Sequence, residues 1–294
     1  MSVLAALVLG RPAPLLSQAM QRSMYVSVVD QSGTAVSGLG PADFIVREDN
    51  LSREVLRVAP ADEPMQIAIL VDNSTAARDE IPNLRRALPP FVDALTRPTP
   101  SGRRNEVAIV ALAERPTMLS DYTSDRNQLG KAIARIWEQT QSGNYLLDAT
   151  IEVTRGFKKR EAARPVIVAI TAEGPELSSR HFDLVLAPIR DTLTAFHVIT
   201  LGLPSNDISS DDAANRNMVV DEGPRTSGGL HERLLTGMAL PAKLVQLGDV
   251  LTHQYRVTYA RPDSLVPPEH ITVSARRADL TARGTPVKDP QARR

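Results

Sequence analysis

Hydrophobic positions follow two different patterns along this chain. Towards both ends they alternate with polar ones: Met24 to Asp30 (MYVSVVD), Asp43 to Asp49 (DFIVRED), Arg53 to Val58, Tyr255 to Tyr259 and Ile271 to Ala275, with a further short strand over Asp279 to Arg283. Such alternation predicts strands with one buried face. Gln31-Ser32-Gly33 reads as a turn and Asn50 to Ser52 as a hairpin loop. In the middle the apolar runs are unbroken, at Ile67 to Val71, Glu106 to Leu112, Pro165 to Ile170 and Ala195 to Leu201. These suit strands buried on both faces of a parallel sheet; Thr117 to Ser120 is a short partner beside the second.

Helical periodicity fills the gaps between those runs. It predicts a helix over Asp79 to Leu95, broken or kinked near Leu88 by Pro89 and Pro90. A second, capped by Asp125, covers Arg126 to Glu138, with Leu129, Ile133, Ile136 and Trp137 on one face, which assigns Trp137 to packing. Others run over Leu146 to Lys159, from a cap at Ser178 or Ser179 to Leu193, and over Pro241 to His253. Ser205 to Gly229 is rich in Ser, Asp, Asn and Gly and reads as a long surface loop. Its acidic residues, Asp207, Asp211 and Asp212, lack the spacing and glycine of an EF-hand loop. The expected fold class is therefore α/β: a doubly wound, mostly parallel sheet with helices on both faces over 63–253. The β-rich segments 24–60 and 254–285 should pair with each other as a small flanking domain, and 286–294 should be a disordered tail.

The charge and composition narrow the function classes. Among 294 residues, 34 Lys and Arg balance 34 Asp and Glu, so no global field draws in nucleic acid or an anionic membrane. Cysteine is absent, which excludes thiolate metal sites, disulfides and Cys nucleophiles. Aromatics are 4%, so Leu, Ile, Val and Ala must build the core. Val3 to Leu9 is an apolar run followed by Arg11, Pro12, Pro14 and small residues near Ala19; residues 1–22 thus read as a candidate export signal without a preceding positive charge. The periplasm, the cell surface or the medium is the expected location, with the cytoplasm as the alternative. No uninterrupted apolar stretch reaches the roughly 20 residues that cross a bilayer.

The candidate chemistry sits where two of the buried runs stop. Ile67 to Val71 ends at Asp72, Asn73, Ser74 and Thr75, and Pro165 to Ile170 ends at Thr171, Ala172, Glu173 and Gly174. In an open α/β sheet, groups at carboxyl ends of central strands face the ligand-binding crevice. Enzyme motifs are missing around them. There is no G-x-S-x-G elbow and no G-x-G-x-x-G after a strand, and His181, His197, His231, His253 and His270 lack metal-ligand spacing.

Taken in order, GLGPADFIVRED, QIAILVDNSTA, YTSDRNQLGKAI, GNYLLDATIE, VIVAITAEG, FHVITLGL, SGG at 227–229 and LTHQYRVTYARP resemble the von Willebrand factor type A (VWFA) family, in particular its bacterial exported members. The resemblance implies an adhesion or protein-interaction module. It also implies a metal-ion-dependent adhesion site, in which a DxSxS loop, a threonine and an aspartate hold Mg²⁺ with one position open to a partner's carboxylate. Asp72 and Ser74 match the first loop, but Ala76, Asn144 and Ala172 stand where Ser, Thr and Asp are usual. The expectation is a degenerate site with no cofactor or a weakly bound Mg²⁺, the remaining candidate ligands being Asp72, Ser74, Asn144 and Glu173.

The competing reading is a haloacid-dehalogenase-like phosphotransferase using Asp72 as nucleophile. That chemistry needs a second carboxylate two residues on, and position 74 is Ser. A non-enzymatic module with a protein partner is the preferred reading. A cell-wall glycan or a second copy of the chain are the other partners left open, as is the oligomeric state.

Overall fold

The computed structural model describes residues 20–203, 210–262, 266 and 268–288. Four strands come first: β1 (Met20–Val29), β2 (Phe44–Glu48), β3 (Leu51–Arg53) and β4 (Val55–Pro60). β1 begins inside the stretch read as a candidate export signal, with Met20 opposite Arg261. The β2–β3 turn is made by Asp49 and Asn50, both at positive φ (47° and 68°), and Leu51 and Ser52, expected in the loop, pair with Glu48 and Arg47. Asp and Asn tolerate that left-handed conformation best among residues with a side chain.

The α/β unit follows as β5 (Gln66–Val71), α1 (Ile81–Leu95), β6 (Glu106–Ala111), β7 (Thr117–Thr123), α2 (Arg126–Ala134), α3 (Leu146–Lys159), β8 (Pro165–Ala172), α4 (Phe182–Thr192), β9 (Ala195–Leu201), α5 (Asp211–Ser227), β10 (His231–Leu234) and α6 (Leu240–Thr252). Its six strands lie in the order β10-β9-β8-β5-β6-β7, parallel except for β7 at one edge. The unbroken apolar runs are explained by burial on both faces. Ile67, Ile69 and Val71 pack with α1, α2 and α6, while Ala68 and Leu70 pack with α3, α4 and α5. From β5 the chain moves to β6 on one side and later to β8 on the other. The crevice between the carboxyl ends of β5 and β8 is thus the topological switch point of the sheet.

Several helix expectations need correction. α1 is not broken at Leu88 but continues through Pro89 and Pro90. Both prolines are on the exposed side, where the carbonyls they leave unbonded can face water. A 3₁₀ turn over Thr75–Glu80, not an α-helix from Asp79, leads into it. α2 stops at Ala134, and Trp137 is 62% exposed beneath the Arg85 guanidinium, 3.6 Å from its ring, so it is not a core residue. α4 is capped by His181, not by Ser178 or Ser179. Much of the expected loop over Ser205 to Gly229 is α5, seventeen residues long and capped by Ser210. Asp211 and Asp212 occupy its first turn; Asp207 lies outside the described residues.

After α6 come β11 (Tyr255–Arg261), β12 (Ile271–Ala275) and β13 (Thr281–Pro286). They pair with the first strands and not with the parallel sheet, giving one sheet of order β13-β1-β11-β4 and another of order β12-β2-β3. Phe44, Val46, Met24, Val26, Val257 and Tyr259 form the core between them. Buried Arg164, at the start of β8, ties this flank to the α/β unit. It donates to the carbonyls of Glu63 and Leu251 and to Gln254, and lies 4.6 Å from the Tyr25 ring. Burial lowers its pKa to about 10 and raises that of Tyr25 to about 12. Residues 1–19 and 289–294, on which the rest of the export-signal and tail expectations fall, lie outside the described residues.

Candidate functional site

Asp72 sits one residue past β5, 1% exposed, with its carboxylate turned into the switch-point crevice. The backbone N–H of Ser74 donates to its Oδ1 at 2.9 Å. The backbone N–H of Ala172 and the side-chain amide of Asn144 donate to its Oδ2 at 2.9 and 2.7 Å, and the Thr171 hydroxyl lies 3.4 Å from the same oxygen. Three loops far apart in sequence thus converge on one carboxylate. Asn144 is held there by backbone contacts on both sides, its N–H donating to Pro175 O and its carbonyl accepting from Leu177 N. Its amide also donates to Thr171 Oγ1 at 2.7 Å.

Ala76 and Ala172 bring no side-chain oxygen to this cluster. Ala76 instead packs against Gly174, where an added Cβ would stand 2.5 Å from that of Ala76. Glu173 is turned aside: one carboxylate oxygen accepts from Arg216 at 3.3 Å and the other from Arg233. None of its hydrogen bonds goes to Asp72, Ser74 or Asn144. Ser74 and Asn144, each 1% exposed, carry a buried oxygen, Oγ and Oδ1, with no hydrogen-bond partner among the described residues.

Two further residues build the rim, one on a helix the sequence pattern hides and one already at the end of β5. Arg216 on α5 is 3% exposed and donates to Thr171 Oγ1, to the Ala172 carbonyl and to Glu173, which places a fixed positive charge behind the β8 loop. The Ser, Asp, Asn and Gly content of the segment around it predicts a loop, where the structure has α5. Asn73 fastens the rim together: its amide donates to Trp137 O, its Oδ1 accepts from Ala113 N, and its carbonyl accepts from Gln139 N. A polar residue straight after a buried strand was its only signal.

A second carboxylate lies behind Asn144. Glu176 accepts from the Ser178 hydroxyl and backbone N–H and from Leu146 N at the start of α3. Burial raises its pKa to about 7, against the lowering effect of those hydrogen bonds and of Arg216. The histidines do not join the site. His197 is buried in β9, its Nδ1 accepting from Leu230 N, and burial lowers its pKa to about 4. Among the described residues no group of three or more His, Cys, Asp or Glu side chains is arranged to hold a metal ion.

Comparison with solved structures identifies the architecture. A protein from Catenulispora acidiphila described as von Willebrand factor type A matches 93% of this chain and 74% of its own at a TM-score of 0.51 and 11% identity. The chain has a von Willebrand factor type A fold. Proximal thread matrix protein 1 of the mussel byssus matches 70% of the chain at 13% identity and a TM-score of 0.49, and the chain spans only 49% of that protein's length. BatB of Bacteroides thetaiotaomicron matches 64% of the chain and 99% of its own at 17% identity and a TM-score of 0.47. Another structure of the mussel protein has zinc in its metal-ion-dependent adhesion site motif. No protein-family model matches the chain, and no curated protein matches it by sequence. Within the von Willebrand factor type A fold, the Asp72 cluster occupies the crevice at the carboxyl ends of the central strands. No helix among the described residues is long and apolar enough to cross a membrane.

Proposed function

We propose that this chain is a non-enzymatic protein-interaction module of the VWFA type in which the metal-ion-dependent adhesion site has become an internally hydrogen-bonded cluster. The observation that carries this reading is the state of Asp72, whose carboxylate is engaged by three strong N–H donors from its own chain. A divalent ion needs oxygen ligands in near-octahedral array and gives up its waters reluctantly. Here Asn144 presents N–H to Asp72, Ala76 and Ala172 present methyl groups, and Glu173 is committed to two arginines. This donor set does not fit Mg²⁺.

The same arrangement speaks against catalysis by Asp72. A nucleophilic carboxylate must reach its substrate and have an acid or base beside it. Asp72 is 1% exposed and Ser74 contributes a hydroxyl in place of the second carboxylate. The partner is a protein bound without a bridging metal, and the module acts outside the cytoplasm, as the apolar run at Val3 to Leu9 suggests.

Affinity capture with the full chain, in Mg²⁺ and in EDTA, tests the metal-free reading. The same partner should be retained in both. Retention only in Mg²⁺, or phosphoester turnover that disappears in Asp72→Asn, would overturn it.

A further inference from the structure

We infer that the groove between the flank and helices α1 and α6 binds an aliphatic anion, a hydrocarbon chain ending in a carboxylate or phosphate. The groove has a volume of about 1100 Å³, the size of a ligand site and not of a packing void. Met65, Asn105 and Arg164 line its inner end, immediately ahead of β5, β6 and β8. It therefore lies at the amino ends of the central strands, opposite the Asp72 cluster.

Its walls are fixed before any ligand arrives. Pro90 and Ala94 come from α1 and Arg97 from just past its end, while Ala242, Val245, Asp249 and Thr252 recur along one side of α6. Ala242 and Thr252 stand about 15 Å apart along the helix axis, room for an extended medium-length chain. Thr34, Ser37 and Gly38, in the loop after β1, add a third wall. That loop is pinned by two hydrogen bonds, from Gln246 to Ser32 O and from the Tyr255 hydroxyl to Val36 O, both 2.8 Å. Walls held in place in this way spare a ligand the cost of ordering them.

The lining selects the occupant. Helical walls have their backbone groups bonded internally, so a peptide strand seated there would bury N–H and C=O groups without partners. A hydrocarbon chain has none to bury. Tyr255 is the one aromatic side chain among the described lining residues, so the apolar surface is mainly Pro, Ala, Val, Met and Leu, which suits an aliphatic chain.

Charge then fixes the sign of the head. Among the described residues the lining carries Arg97, Arg164, Lys243 and His253 against one carboxylate, Asp249, which already faces His253 at 3.0 Å. Lys243 is paired with Glu232. The buried Arg164 has only neutral acceptors, the carbonyls of Glu63 and Leu251 and the amide oxygen of Gln254, because the Glu63 carboxylate is taken by Arg256. A buried cation without a carboxylate partner is costly, and an anion nearby relieves that cost. The basic side chains hold the head and the aliphatic walls hold the chain.

The experiment is calorimetric titration of the full chain with decanoate, decyl phosphate and decyltrimethylammonium, all below micelle formation. At least one of the two anions should bind with a Kd on the order of 100 µM or tighter, and the cation of equal chain length about tenfold or more weaker. Arg97→Glu and Val245→Glu change exposed positions, so both should melt as wild type does without ligand, yet weaken the anion by about tenfold or more. A photoactivatable decanoate should label residues of α1, α6 or the loop after β1. Absence of binding by both anions, equal binding of the cation, or labelling confined to other elements would overturn the proposal. So would binding of an acidic amphipathic helical peptide where neither anion binds, which would give the groove to a protein segment.

Discussion

The side-chain amide of Asn144 donates to Oδ2 of Asp72 across 2.7 Å, joining two loops seventy-two residues apart at the centre of the rim. At the position where the VWFA pattern that the sequence resembles would have a threonine, this chain has an amide N–H that serves the aspartate directly. Asn144→Asp keeps the shape and reverses that interaction, setting two carboxylates against each other. It should lower stability at neutral pH by about 3 kcal/mol, and Mg²⁺ should restore part of the loss. Urea denaturation with and without Mg²⁺ measures both effects.

Glu176 predicts a pH dependence. Burial raises its folded pKa to about 7 from the ordinary glutamate value of 4.5, so the folded chain binds its proton more tightly than the unfolded chain does. The contribution to stability is full below pH 4.5 and is lost as pH rises towards and through 7, amounting to about 3 kcal/mol. Glu176→Gln should flatten the stability curve over that window. A Gln variant whose curve follows the wild type would show that this carboxyl titrates normally.

Arg164 holds the two parts of the molecule together through the Glu63 and Leu251 carbonyls, Gln254 and the Tyr25 ring. Arg164→Met keeps an unbranched apolar stem but removes the guanidinium and leaves those acceptors unpaired, and should destabilise the fold by about 2–4 kcal/mol. The flank should loosen first. Hydrogen exchange would show faster exchange in β1 and β11 than in β5 and β8.

Gly229 closes the turn between α5 and β10. A Cβ there would stand 1.8 Å from the Phe196 carbonyl oxygen, a backbone atom that cannot step aside. Gly229→Ala should therefore fail to give folded protein in an expression and solubility trial, while Gly130→Ala, which meets nothing within 4 Å, should be neutral or mildly stabilising.

How legible the fold was depends on where side chains carry the signal. The strands β5, β8 and β9 could be read from sequence because burial on both faces leaves room only for apolar residues. α3 could be read within its observed bounds because its buried positions are mostly Leu, Ile, Val, Ala and Phe. α5 could not. Its buried face is made of Arg216, Val219, Val220, Gly223, Pro224 and Ser227, so the helical period is present but carried by residues that score as loop. Gly223 is there because a Cβ would stand 2.6 Å from the Phe196 ring. Losing α5 also concealed Arg216, the one buried cation at the rim among the described residues. Asp72, Ser74 and Asn144 were legible as candidates. That the Asn144 amide would turn its N–H to Asp72, and that Glu173 would be drawn away by Arg216 and Arg233, depended on tertiary contacts that no local pattern encodes.

The central claim is that internal donors have taken the place of the divalent ion, and calorimetric titration of the chain with MgCl₂ tests it most directly. Wild type should release no binding heat up to millimolar Mg²⁺, whereas the triple variant Ala76→Ser, Asn144→Thr, Ala172→Asp should rebuild an oxygen cage and bind. Wild-type binding of Mg²⁺ at micromolar concentration, lost in Asp72→Asn, would contradict the account.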